Sequence, residues 1–422
     1  MSSLRAVKGM NDILPEESPK WHRLEALYRR TMELANFREV RTPYVESTRL
    51  FVRAIGETTD VVEKEMYSFT HHDEGLTLRP EGTAGAVRAY VEHGVQNHEP
   101  VSRWYYMGPM FRGERPARGR YRQFYQAGAE VFGDAGPGVD AELIDTLCRM
   151  LESLGISDLT VHVNSIGSEG TRVRYQDAVR AGLMPRKEQL SADSQRRLDT
   201  NPLRILDSKD PKDREAVLGL PPITDFLTDA DRAHFEGCQA FLRALGTPFV
   251  VDPLLVRGLD YYTRTLFEIK GAKDKLGAGD TLLGGGRYDG MVKDLGGADV
   301  PAIGFAAGME RLLIASDLSA AAPPVDAFVV GMGQRALIEA AVLVRDLRAQ
   351  GFVCEADTRG ASLKSQMRRA SASGARVALV IGDQEIDQGV VQFKDLAAHA
   401  QRPVPRADIQ KELAAARAGA AS

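Results

Sequence analysis

The densest concentration of chemically useful side chains lies between Arg112 and Arg122. This stretch, RGERPARGRYR, holds five arginines and one acid, Glu114. Guanidinium groups stay charged and grip phosphate with two parallel N–H donors, so such a cluster on a Gly/Pro-punctuated loop suits a triphosphate or a nucleic-acid backbone. A solvated basic turn has the same composition. The strand that follows narrows the choice. Period-two alternation puts Arg122, Phe124, Gln126, Gly128 and Glu130 on one face, and Gln123, Tyr125, Ala127, Ala129 and Val131 on the other. One face is apolar beyond its edge. The opposite face carries a ring able to stack on a base, an amide, a glycine and a carboxylate, which suits a nucleotide at one end and a small cationic ligand at the other. A core Glu satisfied by polar neighbours is the alternative for Glu130.

Four further segments have weaker signals. In Leu78–Thr83 (LRPEGT), Glu81 and Thr83 precede a helical run over 84–93, where Thr83 would serve as an N-cap. Leu254–Glu268 (LLVRGLDYYTRTLFE) joins an Arg-Gly turn to paired tyrosines and contains no nucleophile or base that points to hydrolysis. The run Gly284-Gly285-Gly286-Arg287-Tyr288 permits close backbone approach to a ligand or forms a loose hairpin turn. In Ala302–Leu313, Gly304 and Gly308 fall four apart on an expected helix with Arg311 following, a strip that fits a nucleotide or simple helix packing.

The elements that must position these groups can be read from periodicity. Trp21, Leu24, Leu27, Tyr28 and Met32 predict a helix over 19–36 that feeds a strand at 37–41. Strands are expected at 103–112, 122–132, 159–164, 255–269, 281–284 and 300–304, and helices near 83–93, 138–154 and 305–315. Hairpin-paired strands flanked by helices argue for α+β. Short polar helices over about 185–245 read as a helical insertion, and Ser316–Pro324 as a linker. Beyond it, strands and helices alternate at 327–331, 337–350, 353–357, 363–373, 377–382 and 390–394, which predicts an α/β domain with a mainly parallel sheet.

Composition sets the limits. At 422 residues the chain is long enough for two or three domains of about 100 to 200 residues each. Hydrophobic residues at 43% and charged residues at 27% are ordinary for a globular protein. The N-terminus lacks the apolar core of a signal peptide and no stretch reaches the ~18 apolar residues of a membrane span, so a cytoplasmic location without membrane contact is expected. Cys148, Cys238 and Cys354 have neither disulfide nor zinc spacing, and no metal ligands are assigned. A net charge of −4 means that any polyanion must bind a local basic patch.

Taken together, these segments resemble histidyl-tRNA synthetases. Lys8–Pro15 (KGMNDILP) is similar to the family's N-terminal signature, 37–51 with Pro43 to class II motif 1, 104–132 to motif 2 and 302–313 to motif 3. LVRGLDYYTRTLFE and the GGGRYDG-to-GFAAGMERL region resemble the two blocks that set the histidine enzymes apart from other class II members. The resemblance runs from about residue 5 to about 395. It implies a class II synthetase catalytic domain over 1–320, with an antiparallel sheet flanked by helices and the insertion within it, and an α/β anticodon-binding domain over 325–422. It further implies a homodimer that joins L-histidine to the histidine tRNA using ATP with Mg²⁺. By the same resemblance Arg112, Arg257 and Arg311 are catalytic, with Arg257 beside the α-phosphate where other class II enzymes use a metal. Arg112, Arg120, Phe124 and Arg311 line the ATP site. Glu81, Gly82, Thr83, Arg112, Gln126, Glu130, Arg257, Tyr261 and Tyr262 hold histidine, and Arg115 reads the tRNA. The alternatives are a non-catalytic regulatory paralogue in histidine biosynthesis, which should lack the catalytic arginines and the C-terminal domain, a class II synthetase for another amino acid, and an RNA-binding module.

Overall fold

A computed structural model describes residues 4–57, 59–208, 210–256, 259–271, 280–319 and 324–419. The chain forms two compact units, Met1–Ala320 and Ala321–Ser422. In the first, eleven strands are present among the described residues: β1 (Arg38–Glu39), β2 (Val45–Ser47), β3 (Tyr67–His71), β4 (Glu74–Leu78), β5 (Ser102–Phe111), β6 (Gln123–Phe132), β7 (Thr160–Ser165), β8 (Phe249–Val251), β9 (Thr263–Lys270), β10 (Thr281–Arg287) and β11 (Ala302–Gly308). Eight of them make one sheet in the order β1-β5-β6-β11-β10-β9-β7-β8. Its six central strands are antiparallel, while the short β1 and β8 pair in parallel at the edges. A small second sheet has the order β2-β4-β3.

The main sheet has one dry face. Tyr105, Ala127, Ala129, Val131, Phe267, Ile269, Ile303 and Phe305 share a core with the helices Ser18–Leu34, Pro137–Ser153 and Asp229–Leu245. The first of these helices begins with Pro19 in its opening turn, where the missing N–H is harmless, and buries Trp21, Leu24, Tyr28 and Met32 at helical spacing. With that face covered, the alternate residues Gln126, Gly128 and Glu130 line the other side, as the alternation along 122–132 predicts.

Several boundaries differ from expectation, and one changes the reading of a motif. The strand expected at 300–304 continues through Gly308, and the helix starts only at Met309. Gly304 and Gly308 therefore lie on β11, between β6 and β10, rather than on a helix. The alternation of Ile303, Phe305 and Ala307 into the core explains this, because burial of that row outweighs the low strand preference of glycine. The triple glycine is likewise neither loop nor turn. It forms the middle of β10, where a Cβ on Gly285 would lie 2.1 Å from the Gly304 carbonyl oxygen and one on Gly286 2.5 Å from that of Thr265. Strand β9 begins at Thr263 rather than 255, after a turn that carries Tyr261 and Tyr262. Only Arg38–Glu39 of the strand expected at 37–41 is formed. The helical stretch begins at Glu169, earlier than 185.

The second unit holds β12 (Ala327–Gly331), β13 (Cys354–Ala356), β14 (Val377–Ile381), β15 (Val390–Asp395) and β16 (Gln401–Pro405), in the order β13-β12-β14-β15-β16. The first three are parallel and the last two antiparallel, so the sheet is mixed rather than mainly parallel. Strand β16 and the helix Ile409–Gly419 are additions that the periodicity did not reveal. No helix among the described residues is long and apolar enough to cross a membrane.

Candidate active site

The other face of the sheet carries a buried polar pocket centred on Glu130 of β6, which is wholly inaccessible. Antiparallel register sets Gly128 of β6 opposite Tyr106 of β5 and Glu130 opposite Gly304 of β11. Both glycines are required by what stands over them. A Cβ on Gly128 would lie 2.5 Å from the Tyr106 hydroxyl oxygen, and one on Gly304 1.6 Å from Glu130 Oε2. The Tyr106 hydroxyl donates to Glu130 Oε1 at 2.8 Å, and the Tyr288 hydroxyl donates to Oε2. Burial pushes the Glu130 carboxyl up from 4.5 to about 8, against the opposing pull of these hydrogen bonds. The folded protein thus binds a proton there that the unfolded chain gives up at lower pH. The stability held through that proton is complete below 4.5 and is lost as pH rises through about 8.

Beside it, Pro80–Thr83 enters the helix Thr83–Glu92. The N-cap position belongs to Gly82, not Thr83, and the capping is done by the Glu81 carboxylate, which accepts the N–H of Thr83 at 2.6 Å and of Ala84 at 2.8 Å. A Glu side chain one residue before the cap thus satisfies the first orphan donors of the helix. The Gly82 N–H donates to Gln126 Oε1 at 3.1 Å, and a Cβ there would sit 2.1 Å from the Tyr106 ring. Glu81, Gly82, Thr83, Gln126 and Glu130 are therefore gathered into one pocket. Burial also raises the Glu81 carboxyl, opposed by its two backbone donors. Tyr261 reaches Tyr288 edge-on, with centroids 5.7 Å apart, whereas Tyr262 belongs to the core shared with Leu203 and Leu266. Arg257 lies outside the described residues.

At the open end of the same face, Arg112 donates through Nε to the Pro80 carbonyl at 2.8 Å and holds its guanidinium 5.4 Å from the centre of the Phe124 ring. The arginine loop then folds back on the helix Met309–Ala315. Gly119, at φ +70°, leaves only 3.2 Å between a Cβ and Arg311 Cγ. Arg311 donates through Nε to the Thr281 carbonyl at 2.8 Å, and its pKa is lowered first by burial and then by the nearby charge of Arg120. Two guanidiniums whose charges oppose each other favour a bound anion. Arg115 is exposed on the loop.

Tyr106 and Tyr288 did not emerge from the sequence. A large ring cross-strand from Gly128 is a signal for the first, but it becomes visible only once β5 and β6 are in register. Tyr288 was in view within the GGGRY run, and what was hidden was its reach to a residue 158 positions away. Arg287 was equally in view. It is fully buried and pairs with Asp140 of the helix Pro137–Ser153 and with Asp289, anchoring the end of β10 just before Tyr288.

A largely antiparallel sheet that presents an arginine hairpin, a stacking ring and a buried acidic pocket on one face, with a separate mixed α/β unit after it, has the architecture of a class II aminoacyl-tRNA synthetase. The family model described as histidyl-tRNA synthetase matches residues 9–312, and one described as an anticodon binding domain matches 326–416. A histidine–tRNA ligase of Sorangium cellulosum is 58% identical over 97% of this chain and 96% of its own. One of a Picosynechococcus species is 47% identical over 98% and 97%. The solved apo histidyl-tRNA synthetase of S. aureus superposes with a TM-score of 0.82 at 36% identity, covering 97% of this chain and all (100%) of that one. The chain belongs to the histidyl-tRNA synthetase family.

Proposed function

We infer that the chain is a histidine–tRNA ligase, which activates L-histidine with ATP to histidyl-adenylate and then transfers the histidyl group to the 3′ end of the histidine tRNA. The observation that carries this reading is the buried acidic pocket of Glu81, Gln126 and Glu130, set beside Arg112 and Phe124 on one sheet face of a chain 58% identical to such a ligase. The carboxylates suit the ammonium and imidazole N–H groups of histidine, and the arginines suit triphosphate. A regulatory paralogue is disfavoured by the anticodon-binding match over 326–416. Histidine-dependent ATP–pyrophosphate exchange, followed by charging of the histidine tRNA, tests the reading. Exchange driven by another amino acid, or none with histidine, would refute it.

In the first step a carboxylate oxygen of histidine attacks the α-phosphorus in line. The bond to the bridging oxygen breaks and pyrophosphate departs with the electron pair. No protein nucleophile is needed. Arg112 meets the charge that develops on the α-phosphoryl oxygens, and Arg257 acts with it by family resemblance. Phe124 stacks on adenine, while Arg120 and Arg311 take the outer phosphates. In the second step a hydroxyl of the terminal ribose attacks the acyl carbon and AMP leaves. Mg²⁺ enters this reading on the outer phosphates of the nucleotide. Among the described residues no three His, Cys, Asp or Glu side chains gather into a cage. Tyr261 closes the amino-acid end, with Tyr262 behind it. A cytoplasmic homodimer is part of the reading. The exposed Tyr44, Val45 and Phe69, on and beside the β2-β4-β3 sheet, offer an apolar face for a second copy.

Arg115 is assigned to the tRNA rather than to ATP. Arg115→Ala should leave pyrophosphate exchange within about twofold and slow aminoacylation by roughly 10- to 100-fold, the worth of one bidentate contact to a guanine edge. A drop in exchange alone would contradict the assignment.

The catalytic domain is taken as 1–320, with an insertion over about 185–245, and the anticodon-binding domain as 325–422. The second unit has its own core of Val329, Leu343, Leu379 and Val391, and carries Arg359, Lys364, Arg368, Arg369 and Lys394. Deleting it after Ala320 should preserve exchange, raise the KM for tRNA and flatten its salt dependence, because fewer phosphate contacts release fewer counterions. An unchanged salt slope in a soluble truncated protein would remove tRNA binding from this unit.

A further inference from the structure

We propose that Tyr106 and Tyr288 are positioning residues that set amino-acid specificity by fixing the Glu130 carboxyl and favouring its ionised form, aimed into the pocket to accept an N–H from the substrate. The proposal rests on the reading that Glu130 binds histidine and adds what makes it able to do so.

The geometry is a clamp. Each carboxylate oxygen takes one phenol, Oε1 from Tyr106 on β5 and Oε2 from Tyr288 just past β10, while β11 passes behind with no side chain at Gly304. Among the described residues no Lys, Arg or His makes an ion pair with Glu130. The groups that face it are Glu81 and Thr83 from the entry to the helix Thr83–Glu92, Tyr106, Tyr288, Tyr261 from the turn before β9, and Tyr28, whose hydroxyl donates to the Gly128 carbonyl at 2.7 Å. All are neutral or acidic. The two phenols, with the Thr83 hydroxyl, therefore offset burial of a charge that no cation among the described residues balances, and the substrate can bring the complementary positive or N–H-bearing group. Burial raises both phenols well above their ordinary pKa, so they remain donors throughout the working range.

Removing one phenol hydroxyl withdraws a hydrogen bond that favours the ionised carboxylate, so the carboxyl keeps its proton to a higher pH. A protonated Glu130 donates where it should accept. The test is the pH profile of kcat/KM for histidine in the exchange reaction for the full chain and its Tyr106→Phe, Tyr288→Phe and Glu130→Gln variants. Titration of the free substrate is common to all four. Each Tyr→Phe variant should move the acidic limb up by about one pH unit. Its KM for histidine should rise about tenfold on the acidic side and return towards wild type above the limb, with the KM for ATP unchanged. Recovery at high pH separates this from misfolding, which would lower activity at every pH. Glu130→Gln should raise the KM for histidine across the whole range. If Glu130→Gln does so but the limb stays in place in both phenol variants, or their loss is uniform with pH, the clamp is overturned and the Glu130 reading stands. If Glu130→Gln leaves the KM for histidine unchanged, the Glu130 reading itself fails.

Discussion

Gly304→Ala should lose histidine-dependent exchange almost completely while ATP still binds. The added methyl group would stand 1.6 Å from Glu130 Oε2 and 2.7 Å from the Ala129 carbonyl oxygen, distances that real Cβ atoms do not show. The strand cannot retreat easily, because β11 is hydrogen-bonded on both sides, to β6 and to β10, and Ile303 and Phe305 lock its other face into the core. The carboxylate must move instead, and so breaks at least one phenol contact. A displaced buried charge partner costs about 2 to 5 kcal/mol, which corresponds to roughly 30- to 4000-fold in the KM for histidine. Overpacking adds about 1 to 3 kcal/mol of lost stability, so the melting temperature should fall as well. Exchange kinetics, calorimetric titration with ATP and a thermal melt together separate the two effects. A folded Gly304→Ala protein with normal histidine KM would mean that the Glu130 carboxylate is not where the substrate binds.

Arg112→Ala should reduce kcat for activation by about 100- to 1000-fold, the usual loss when one preorganised donor to a developing oxyanion is removed. The KM values for histidine and ATP should change much less, since the proposed contact strengthens as charge builds on the α-phosphoryl oxygens. Arg112→Lys should recover little. The guanidinium uses Nε on the Pro80 carbonyl and keeps its fork over the Phe124 ring, and an ammonium cannot hold both positions. Pre-steady-state measurement of adenylate formation isolates this step from tRNA transfer. An equal rise in both KM values at unchanged kcat would reassign Arg112 to ground-state binding.

The residues of this site divide according to the distance over which their roles are specified. Within one strand or helix the sequence is decisive. Alternation along 122–132 was enough to put Phe124, Gln126 and Glu130 on one face and Ala127, Ala129 and Val131 in the core, because side chains on a strand must alternate whatever surrounds them. Helical spacing of Trp21, Leu24, Tyr28 and Met32 was enough for the first helix, and the Gly/Pro-punctuated arginines marked the loop that returns to Arg311. Register between strands is different. It depends on the order β5-β6-β11-β10, in which β11 inserts beside β6 from 170 residues further along the chain at the Ala302–Phe132 pair. Only that order reveals that Gly304 is empty so that Glu130 can be full, that the triple glycine packs inside a sheet, and that Tyr106 and Tyr288 converge on a single carboxylate. Glu81 shows the same limit at short range. Its carboxylate and a Thr83 cap both satisfy the first N–H groups of the helix, and the sequence is compatible with either. The tertiary structure decided for Glu81 because packing of the Tyr106 ring against Gly82 fixes how the chain enters the turn.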